Sequence, residues 1–201
     1  MKRIIQILLI AFVLSMVPAT YASAQTNTKW KDQGDFCEGL ARVVDNNDKR
    51  GFIDETGKLV IPCKWKDAYS FSEGLVVVQN ANGKYGFINK KGKVVIPCQW
   101  KDAQSFHEGL AKVMDAHEKI GFINKKGKVV SPCQWKYATA FHEGLAVVKD
   151  ANDKYGFIDK TGKVVIPCQW KDAVAFRRGL ARVKDTDDIE HYIDKTGKIV
   201  D

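Results

Sequence analysis

The sequence predicts an all-β protein built from tandem repeats, and three observations support this. Tryptophan and phenylalanine each recur every 35 residues, and glycine and Pro-Cys pairs keep the same step. Within each repeat, short apolar segments alternate with polar turns that contain glycine, which is typical of antiparallel strands. No linker or low-complexity segment interrupts five such repeats. The recurring aromatic residues are Trp30, Trp65, Trp100, Trp135 and Trp170, with Phe36, Phe71, Phe106, Phe141 and Phe176.

Each repeat is expected to contain three short antiparallel strands and a loop. The segment at residues 75–78 recurs in every repeat with Ala or Val at its second and fourth positions, whereas its third position varies among Arg, Val and Lys, as expected of a half-buried strand. Residues 85–88 form a second strand, and residues 93–96 a third, which ends at Pro97 because proline has no N–H for the ladder. The loop over residues 100–109 has room for one helical turn.

A three-stranded unit cannot bury both faces of its sheet, so the units must pack against one another. The recurring tryptophan and phenylalanine side chains are the expected filling between neighbouring units, and an exposed aromatic ladder for sugar stacking is the alternative. Three strands per unit favour an open curved array. A small closed propeller remains the alternative, although its blades usually have four strands.

The N-terminus has the three parts of a secretory signal peptide. Lys2 and Arg3 precede an apolar stretch, and Ala22 and Ala24 supply small residues before a cleavage point at Gln25. An uncleaved anchor is the alternative. The predicted organisation is a signal peptide (1–24), a short segment (25–29) and one repeat domain (30–201) with units 30–64, 65–99, 100–134, 135–169 and 170–201. We therefore expect the protein to be exported to the periplasm or the extracellular space, and we expect no stable membrane insertion after the signal peptide is cleaved.

The composition excludes several classes of protein. The 201 residues are 45% hydrophobic and 28% charged, which excludes a disordered chain, a collagen and a disulfide-dense miniprotein. The formal net charge is +8. The chain shows no acid–base pair, no Ser/His/Asp set and no nucleophile motif. We therefore expect no enzyme activity, no catalytic residue and no cofactor.

The repeat resembles the WG (KWG) repeat proteins of bacteria. The matching motifs are Phe-His-Glu-Gly-Leu-Ala-Lys-Val at residues 106–113, Lys-Tyr-Gly-Phe-Ile-Asp at 154–159, and Gly-Lys-Val-Val-Ile-Pro at 162–167. The last repeat departs from the motif, since His191 replaces its glycine, as expected of a capping unit. The resemblance implies a binding or scaffolding module.

Cysteine and histidine also recur, but neither predicts a metal site. Cys63, Cys98, Cys133 and Cys168 are repeat mates too far apart for disulfides, so we interpret them as small buried apolar residues, whereas Cys37 is expected to be more exposed and reactive. His107 and His142 share a column with Cys37, Ser72 and Arg177, which is typical of a variable exposed loop position. The glutamate column at 38, 73, 108 and 143 is expected to bond nearby backbone N–H groups.

The strongest surface signal is a lysine stripe on the predicted hairpin turns. It comprises Lys58, Lys93, Lys128, Lys163 and Lys198, joined by Lys90, Lys125, Lys160 and Lys195. The stripe could attract an anionic glycan or lipid headgroup, or it could simply protect exposed sheet edges from aggregation. Binding of nucleic acid is not expected, because the sequence lacks the interleaving of arginine with aromatic residues that is typical of such proteins.

Two functional hypotheses follow. The first is an exported scaffold that binds a protein partner through an extended surface, with specificity in two variable columns. These columns are Arg42, Val77, Lys112, Val147 and Arg182, and then Ser72, His107, His142 and Arg177. The second is electrostatic binding of anionic cell-envelope glycan or lipid by the lysine stripe.

Overall fold

The computed structural model describes residues 29–200, and within them every regular element is a β-strand. The strands form five antiparallel sheets in chain order. Sheet 1 contains β1 (Asp32–Cys37), β2 (Leu40–Val44), β3 (Arg50–Asp54) and β4 (Leu59–Trp65). Sheet 2 contains β5 (Asp67–Ala68), β6 (Leu75–Gln79), β7 (Tyr85–Asn89) and β8 (Val94–Trp100).

The other three sheets repeat this order. Sheet 3 contains β9 (Asp102–Ala103), β10 (Leu110–Met114), β11 (Ile120–Asn124) and β12 (Val129–Trp135). Sheet 4 contains β13 (Tyr137–Ala138), β14 (Leu145–Lys149), β15 (Tyr155–Asp159) and β16 (Val164–Trp170). Sheet 5 contains β17 (Asp172–Ala173), β18 (Ala181–Lys184) and β19 (Glu190–Ile193). Each of the first four sheets therefore ends with the recurring tryptophan.

The all-β repeat architecture is confirmed, and the structure adds one strand to each of the first four units. The predicted helical turn in the loop after Trp100 is wrong, because Asp102–Ala103 is the short strand β9 and pairs with β10. The N–H of Lys101 donates to the carbonyl of Met114, and the N–H of Gln104 donates to the carbonyl of Lys112. The loop thus satisfies its backbone on the free edge of β10 rather than within a helix.

The five sheets stack face to face, and the core consists of the layers between them. In β6, Val76 and Val78 pack toward sheet 1, while Leu75 and Val77 pack toward sheet 3. All four side chains are buried. The prediction of a half-buried strand is therefore wrong, because each central sheet is covered on both faces.

The recurring phenylalanines fill the space between units, as predicted. Phe106 is 1% exposed, and its ring centroid lies 4.9 Å from that of Phe87 in the preceding sheet. The pairs Phe52–Phe71, Phe122–Phe141 and Phe157–Phe176 have the same arrangement, at 5.0, 4.9 and 5.0 Å. Trp65, Trp135 and Trp170 are buried in these layers as well. The recurring side chains are therefore packing residues rather than an exposed ladder.

Within residues 29–200, the array does not close on itself. Phe36 is 43% exposed, whereas its repeat mates Phe71 and Phe106 are 4% and 1% exposed. At the other end, Tyr192 is 52% exposed, whereas its repeat mate Phe157 is fully buried. Closure into a propeller would bury both end residues, so the structure is the open array and not the closed alternative.

The glycine of the repeat motif is required by close backbone contact. The register between β7 and β8 shifts on both sides of Phe87. At Gly86, a Cβ atom would lie 2.6 Å from the carbonyl oxygen of Ile96 and 2.7 Å from the nitrogen of Cys98. Gly51, Gly121 and Gly156 meet the same obstruction in their own sheets. His191 replaces this glycine in sheet 5, where only an isolated bridge between Ile193 and Ile199 follows β19 within the described residues.

One buried polar residue distinguishes the third sheet. Ser131 is fully buried at the position of Ile61, Ile96 and Ile166. Its hydroxyl oxygen accepts a hydrogen bond from Nε1 of Trp135 at 2.9 Å. The indole N–H groups of Trp65, Trp100 and Trp170 have no such partner within the described residues. Serine thus satisfies an indole group at this one position.

Candidate functional site

The predicted lysine stripe is two columns with different roles. Lys58, Lys93, Lys128, Lys163 and Lys198 all have exposed side chains. Their backbone N–H groups donate to the Asp or Asn that opens each turn, as Lys93 does to Asn89 Oδ1 at 3.0 Å. Within residues 29–200, none of these five ammonium groups forms an ion pair. We call these five residues the free lysine column.

The second lysine column is occupied by contacts between units. Each side chain forms an ion pair with a glutamate of the preceding unit, so this half of the predicted stripe is not free for a ligand. The Nζ to carboxylate distances are 3.1 Å for Lys90–Glu38, 2.9 Å for Lys125–Glu73, 3.1 Å for Lys160–Glu108 and 3.2 Å for Lys195–Glu143.

The same glutamates also bind backbone in the following unit. The N–H groups of Gly74, Gly109, Gly144 and Gly179 donate to the carboxylates of Glu38, Glu73, Glu108 and Glu143 at 3.0–3.1 Å. The prediction of a nearby backbone partner is therefore wrong, since each acceptor lies 36 residues from its donor. We call each glutamate, with its glycine and lysine partners, a latch.

The latch glutamates have an unfavourable backbone conformation. Glu73 and Gly74 have φ values of +54° and +84° and form a two-residue turn between Ser72 and Leu75. Glycine tolerates positive φ, but a long side chain rarely adopts it. The turn nevertheless directs the Glu73 carboxylate to the next unit. Arg178 replaces the glutamate in sheet 5, the last sheet that the structure describes.

The latch shifts the acid–base equilibrium of its carboxylates. Burial raises the pKa of Glu108, but the Lys160 ammonium and the N–H of Gly144 outweigh burial and hold the pKa below 4.5. Glu38 and Glu73 show the same net lowering of pKa from the same causes. The latches are therefore charged at neutral pH, which suits hydrogen bonds to an ionised acceptor.

We expect Glu108→Gln to lower the free energy of unfolding by about 1 kcal/mol, because the latch is only partly shielded from water. In a double-mutant cycle with Lys160→Met, the two substitutions should lose less together than the sum of their separate losses. Urea unfolding measures both quantities. Glu118→Gln is the matched control, since Glu118 pairs with Lys101 on the open surface. Strict additivity of Glu108→Gln and Lys160→Met would contradict the latch.

The latch also predicts a direction of pH dependence. Because the folded-state pKa of Glu108 is lowered, its contribution to stability is complete above the unfolded-state pKa. The contribution is lost as pH falls below about 4.5 through the lowered value. The stability difference between the native protein and Glu108→Gln should therefore shrink on acidification. A constant difference across that range would argue against a charged latch.

The candidate residues Ser72, His107, His142 and Arg177 each precede a Glu-Gly or Arg-Gly turn. Their backbones bridge to the leucine after the turn. His107, His142 and Arg177 are exposed, while Ser72 is half-buried and donates from Oγ to the carbonyl of Phe106 at 2.8 Å. The latches tie these turns to the lysine hairpins of the next unit. The column therefore borders the free lysine column along one rim of the array.

Most residues of the other variable column lie between sheets and not on the surface. Val77 and Val147 are fully buried between sheets. Nζ of Lys112 donates to the carbonyl of Ala138 in the next sheet at 2.8 Å, and burial lowers the pKa of Lys112. Arg42 makes the equivalent contact with the carbonyl of Ala68 at 3.4 Å. The hypothesis that this column carries binding specificity is wrong for these four residues, because the third residue of the strand faces the next sheet.

The cleft beside Lys112 is too small for a typical small-molecule ligand. Its volume is about 120 Å³, and Asp102, Gln104 and Met114 also line it. Ligand pockets are commonly about 300–1,000 Å³. Within residues 29–200, no three His, Cys, Asp or Glu side chains form a group that could hold a metal ion.

An exposed apolar surface follows the last strand of each of the first four sheets. Val94 and Val95 of β8 are 44% and 37% exposed, and Leu59 and Val60 of β4 are 37% and 38% exposed. Val129 of β12 and Val164 of β16 are exposed by 47% and 41%. We call these six residues the edge-strand face. Each of these strands begins directly after a residue of the free lysine column.

The hairpin turns hold the edge strands side by side. A Cβ atom on Gly92, in the turn before β8, would lie 3.3 Å from the Ile61 side chain of β4. Gly127 has the same relation to Ile96 of β8. Exposed prolines interrupt each edge strand, which limits sheet-to-sheet pairing there. The face therefore offers side chains rather than a continuous free backbone.

The cysteines are partly buried thiols. None of the five forms a disulfide, and all have intermediate exposure, so Cys37 is not set apart by its exposure. Cys98, Cys133 and Cys168 pack against the layers between sheets, as predicted for small apolar residues. Burial raises the pKa of the Cys168 thiol to about 11, and burial likewise raises the pKa of Cys63, Cys98 and Cys133. These four thiols stay protonated at neutral pH.

Comparisons with known proteins identify the repeat. A family model described as "WG containing repeat" matches residues 51–85, 85–115, 120–155 and 155–187. No curated protein matches the chain. No helix among residues 29–200 has the length and apolar character to cross a bilayer.

Several solved structures match parts of the chain at low identity. The computationally designed Ika8 protein is 13% identical over 83% of this chain and 59% of its own, with a TM-score of 0.49. BamB from Moraxella catarrhalis is 12% identical over 83% and 58%, with a TM-score of 0.44. The WD40 β-propeller domain of Doa1 is 11% identical over 87% and 68%, with a TM-score of 0.42. The chain thus spans about three fifths of the length of Ika8 and BamB.

Proposed function

Since this chain belongs to the family of WG-containing repeats, we propose that it is an exported, non-enzymatic scaffold that binds a protein partner on its edge-strand face. The observation that carries the proposal is the combination of exposed valines with an adjacent column of lysines that form no ion pair within residues 29–200, repeated from unit to unit. An exposed apolar patch bordered by charge is typical of an interaction surface. The partner that fits is a protein segment with apolar side chains and carboxylates.

Specificity in this interaction is supported by the variable column that precedes the latch turns. This column holds serine, histidine, histidine and arginine in successive units, at Ser72, His107, His142 and Arg177. It lies in the turns that the latches tie to the lysine hairpins. A partner that extends along the array would meet serine, histidine or arginine at this column, depending on the unit. Repeat arrays commonly present such extended surfaces.

Export is the second part of the proposal. It is supported by the predicted signal peptide at residues 1–24, which lies outside the described residues. Mass spectrometry of the protein recovered from each cell fraction tests it. An N-terminus at Gln25 in the periplasm or the medium supports export, and an intact Met1 in the cytoplasm overturns it.

The binding test is capture from the cell-envelope fraction, with protein produced from the full-length chain. We expect a protein partner to remain bound through a wash at about 0.5 M salt, which screens exposed charges. Val94→Ser combined with Val129→Ser should reduce retention at least about fivefold. Val174→Ser is the matched control, since Val174 is 42% exposed but lies outside the edge-strand face. Equal retention by the double variant and the control would overturn the assignment of this face.

The alternative function is binding of an anionic glycan or lipid by the free lysine column. Five exposed ammonium groups favour it, since none forms an ion pair in the part of the chain that the structure describes and such a column attracts polyanions over several ångströms. Capture of glycan or lipid alone would support this alternative if high salt and the pair Lys93→Gln and Lys128→Gln both abolish it. Nucleic acid is not proposed.

A further inference from the structure

The third unit differs from both of its neighbours at the edge of the sheet that is formed by the short strand. In the second and fourth units, two tyrosine rings lie together at this edge. Their centroids are 6.4 Å apart in the pair Tyr69–Tyr85 and 6.1 Å apart in the pair Tyr137–Tyr155. The third unit has Ile120 at the position of Tyr85 and Tyr155, and its short strand β9 has no aromatic residue. This edge therefore lacks the rings that the two neighbouring units share.

The cleft beside Lys112 lies at this edge and has a volume of about 120 Å³. Asp102 and Ile120 both pair with Met114 in the ladder, so these three side chains point to the same face of sheet 3. Gln104 and Lys112 complete the walls. An apolar cavity of about 150 Å³ is enough to hold one benzene ring. The cleft therefore has room for a single aromatic ring and for little else.

The cleft combines an apolar floor with hydrogen-bonding groups that have capacity left. Ile120 is 6% exposed, and Met114 packs against the layer between sheets 3 and 4. Oδ1 of Asp102 accepts the N–H of Ala103 at 2.9 Å, and within residues 29–200 the carboxylate has no other hydrogen bond or ion pair. The side-chain amide of Gln104 is exposed and forms no hydrogen bond in the same part of the chain. An apolar floor with a few polar groups at its rim suits a ring that carries a hydroxyl group.

The neighbouring units show which group fills this position when the chain supplies it. Tyr85 packs against the layer between sheets 2 and 3, and Tyr155 packs against the layer between sheets 4 and 5. Ile120 takes the same position in the layer between sheets 3 and 4, but it has no ring. A phenol ring from another molecule would therefore restore the side-chain type that both neighbouring units have.

Exposed tyrosine rings on both sides of the cleft favour a protein over a free phenol as the source of this ring. Tyr137 is 45% exposed and directly precedes Ala138, whose carbonyl accepts a hydrogen bond from Nζ of Lys112 at 2.8 Å. Tyr69 of the preceding unit is 37% exposed. A free phenol contacts the cleft alone, whereas a ring attached to a polypeptide also contacts these two tyrosines. Tyrosine is among the residues that most often supply the binding energy of protein interfaces.

We propose that the cleft in the third unit receives a tyrosine side chain of a protein partner. The ring lies on Ile120 and Met114. Its hydroxyl group donates to Oδ2 of Asp102 and accepts from the amide of Gln104. β9 and β12 form opposite edges of sheet 3, so the cleft lies at the edge away from the edge-strand face. The inference therefore adds a second binding site and does not depend on the function proposed for that face.

NMR titration of isotope-labelled protein, produced from the full-length chain, tests the proposal. The probes are the peptides Gly-Gly-Tyr-Gly-Gly and Gly-Gly-Phe-Gly-Gly and the free phenol p-cresol. We expect the tyrosine peptide to bind at least about fivefold more tightly than the other two probes, with amide shifts centred on residues 102–104, 112–114 and 120.

Two variants test the role of the cleft. Ile120→Tyr supplies the ring from within, as in the neighbouring units, so the protein should fold and bind the tyrosine peptide at least about tenfold more weakly. Ile189→Tyr is the matched control, since it makes the same change at a 54% exposed position outside the cleft. Asp102→Ala should remove the preference for tyrosine over phenylalanine, because it removes the acceptor of the hydroxyl group.

Four results would overturn the proposal. They are the absence of amide shifts at the cleft, equal affinity for the tyrosine and phenylalanine peptides, unchanged binding by Ile120→Tyr, and p-cresol that binds as tightly as the tyrosine peptide. The last result would identify a site for a free phenol and not for a protein. Ile120→Tyr should leave partner capture on the edge-strand face unchanged, so the two proposals fail separately.

Discussion

Phe106→Ala is expected to lower the free energy of unfolding by about 3–5 kcal/mol. The Phe106 side chain is 1% exposed and packs on Phe87 in the layer between sheets 2 and 3. Its removal leaves a cavity between two units that the rigid strands cannot close. Interfaces between neighbouring units stabilise a repeat array, so a weaker interface lowers the free energy of unfolding of the whole domain and makes its unfolding less cooperative. Urea unfolding followed by tryptophan fluorescence measures it.

Phe36→Ala supplies a control in the same chain and the same repeat position. Phe36 is 43% exposed, so its truncation should cost less than about 1 kcal/mol. The difference between the two substitutions isolates packing between units from any effect of the residue type. Equal losses at both positions would show that Phe36 is covered in solution and that the array closes.

Gly86→Ala is expected to destabilise the protein by about 2–4 kcal/mol, although it adds only one methyl group. The new Cβ would lie 2.6 Å from the Ile96 carbonyl oxygen and 2.7 Å from the Cys98 nitrogen. Both contacts are with backbone, so no side-chain rotation relieves them. Separation of β7 from β8 would cost hydrogen bonds in the ladder. Equilibrium unfolding in urea measures the loss, and faster amide exchange in β8 locates it.

A comparison with Gly74→Ala distinguishes two reasons why a glycine can be required: lack of space for a Cβ atom and an unfavourable backbone conformation. Gly74 has a φ of +84°, but nothing lies within 4 Å of its Cβ position. Alanine there pays only for the left-handed conformation, about 1–2 kcal/mol. We therefore expect Gly86→Ala to cost more than Gly74→Ala. The opposite order would contradict close strand contact as the reason for the motif glycine.

Local patterns were sufficient to predict most of the strands. The turn glycines and the fixed apolar positions of the strand at residues 75–78 each depend on backbone geometry within a few residues. The prediction that the third strand ends at Pro97 is wrong, because β8 continues through Pro97 to Trp100 as an edge strand, where a missing N–H is tolerated. The prediction failed where partners from other segments decide the outcome. Asp102–Ala103 is a strand only because the edge of β10 is free to pair with it. Its two residues are too few for a periodic signal.

The candidate site was only partly predictable for the same reason. The lysine column at 58, 93, 128, 163 and 198 was identified correctly as exposed, since a charged residue beside a turn glycine has few other locations. The column at 90, 125, 160 and 195 was assigned to the same stripe but pairs with glutamates of the preceding unit. The sequence contains one clue to this pairing. The glutamate column is interrupted by Arg178 in the last unit and the lysine column by Glu55 in the first unit, as expected if each glutamate pairs with a lysine of the next unit.

The period, the hairpins and the all-β class can be read from the amino-acid sequence, because they depend on interactions between residues close along the chain. Contacts between sheets are needed to establish that the third residue of the strand, Val77 or Lys112, lies between two sheets and that Glu108 binds Lys160. The 35-residue repeat shows which positions are equivalent, but not which positions of neighbouring units touch. Face-to-face stacking sets that relation, since it brings a turn of one unit against a hairpin of the next.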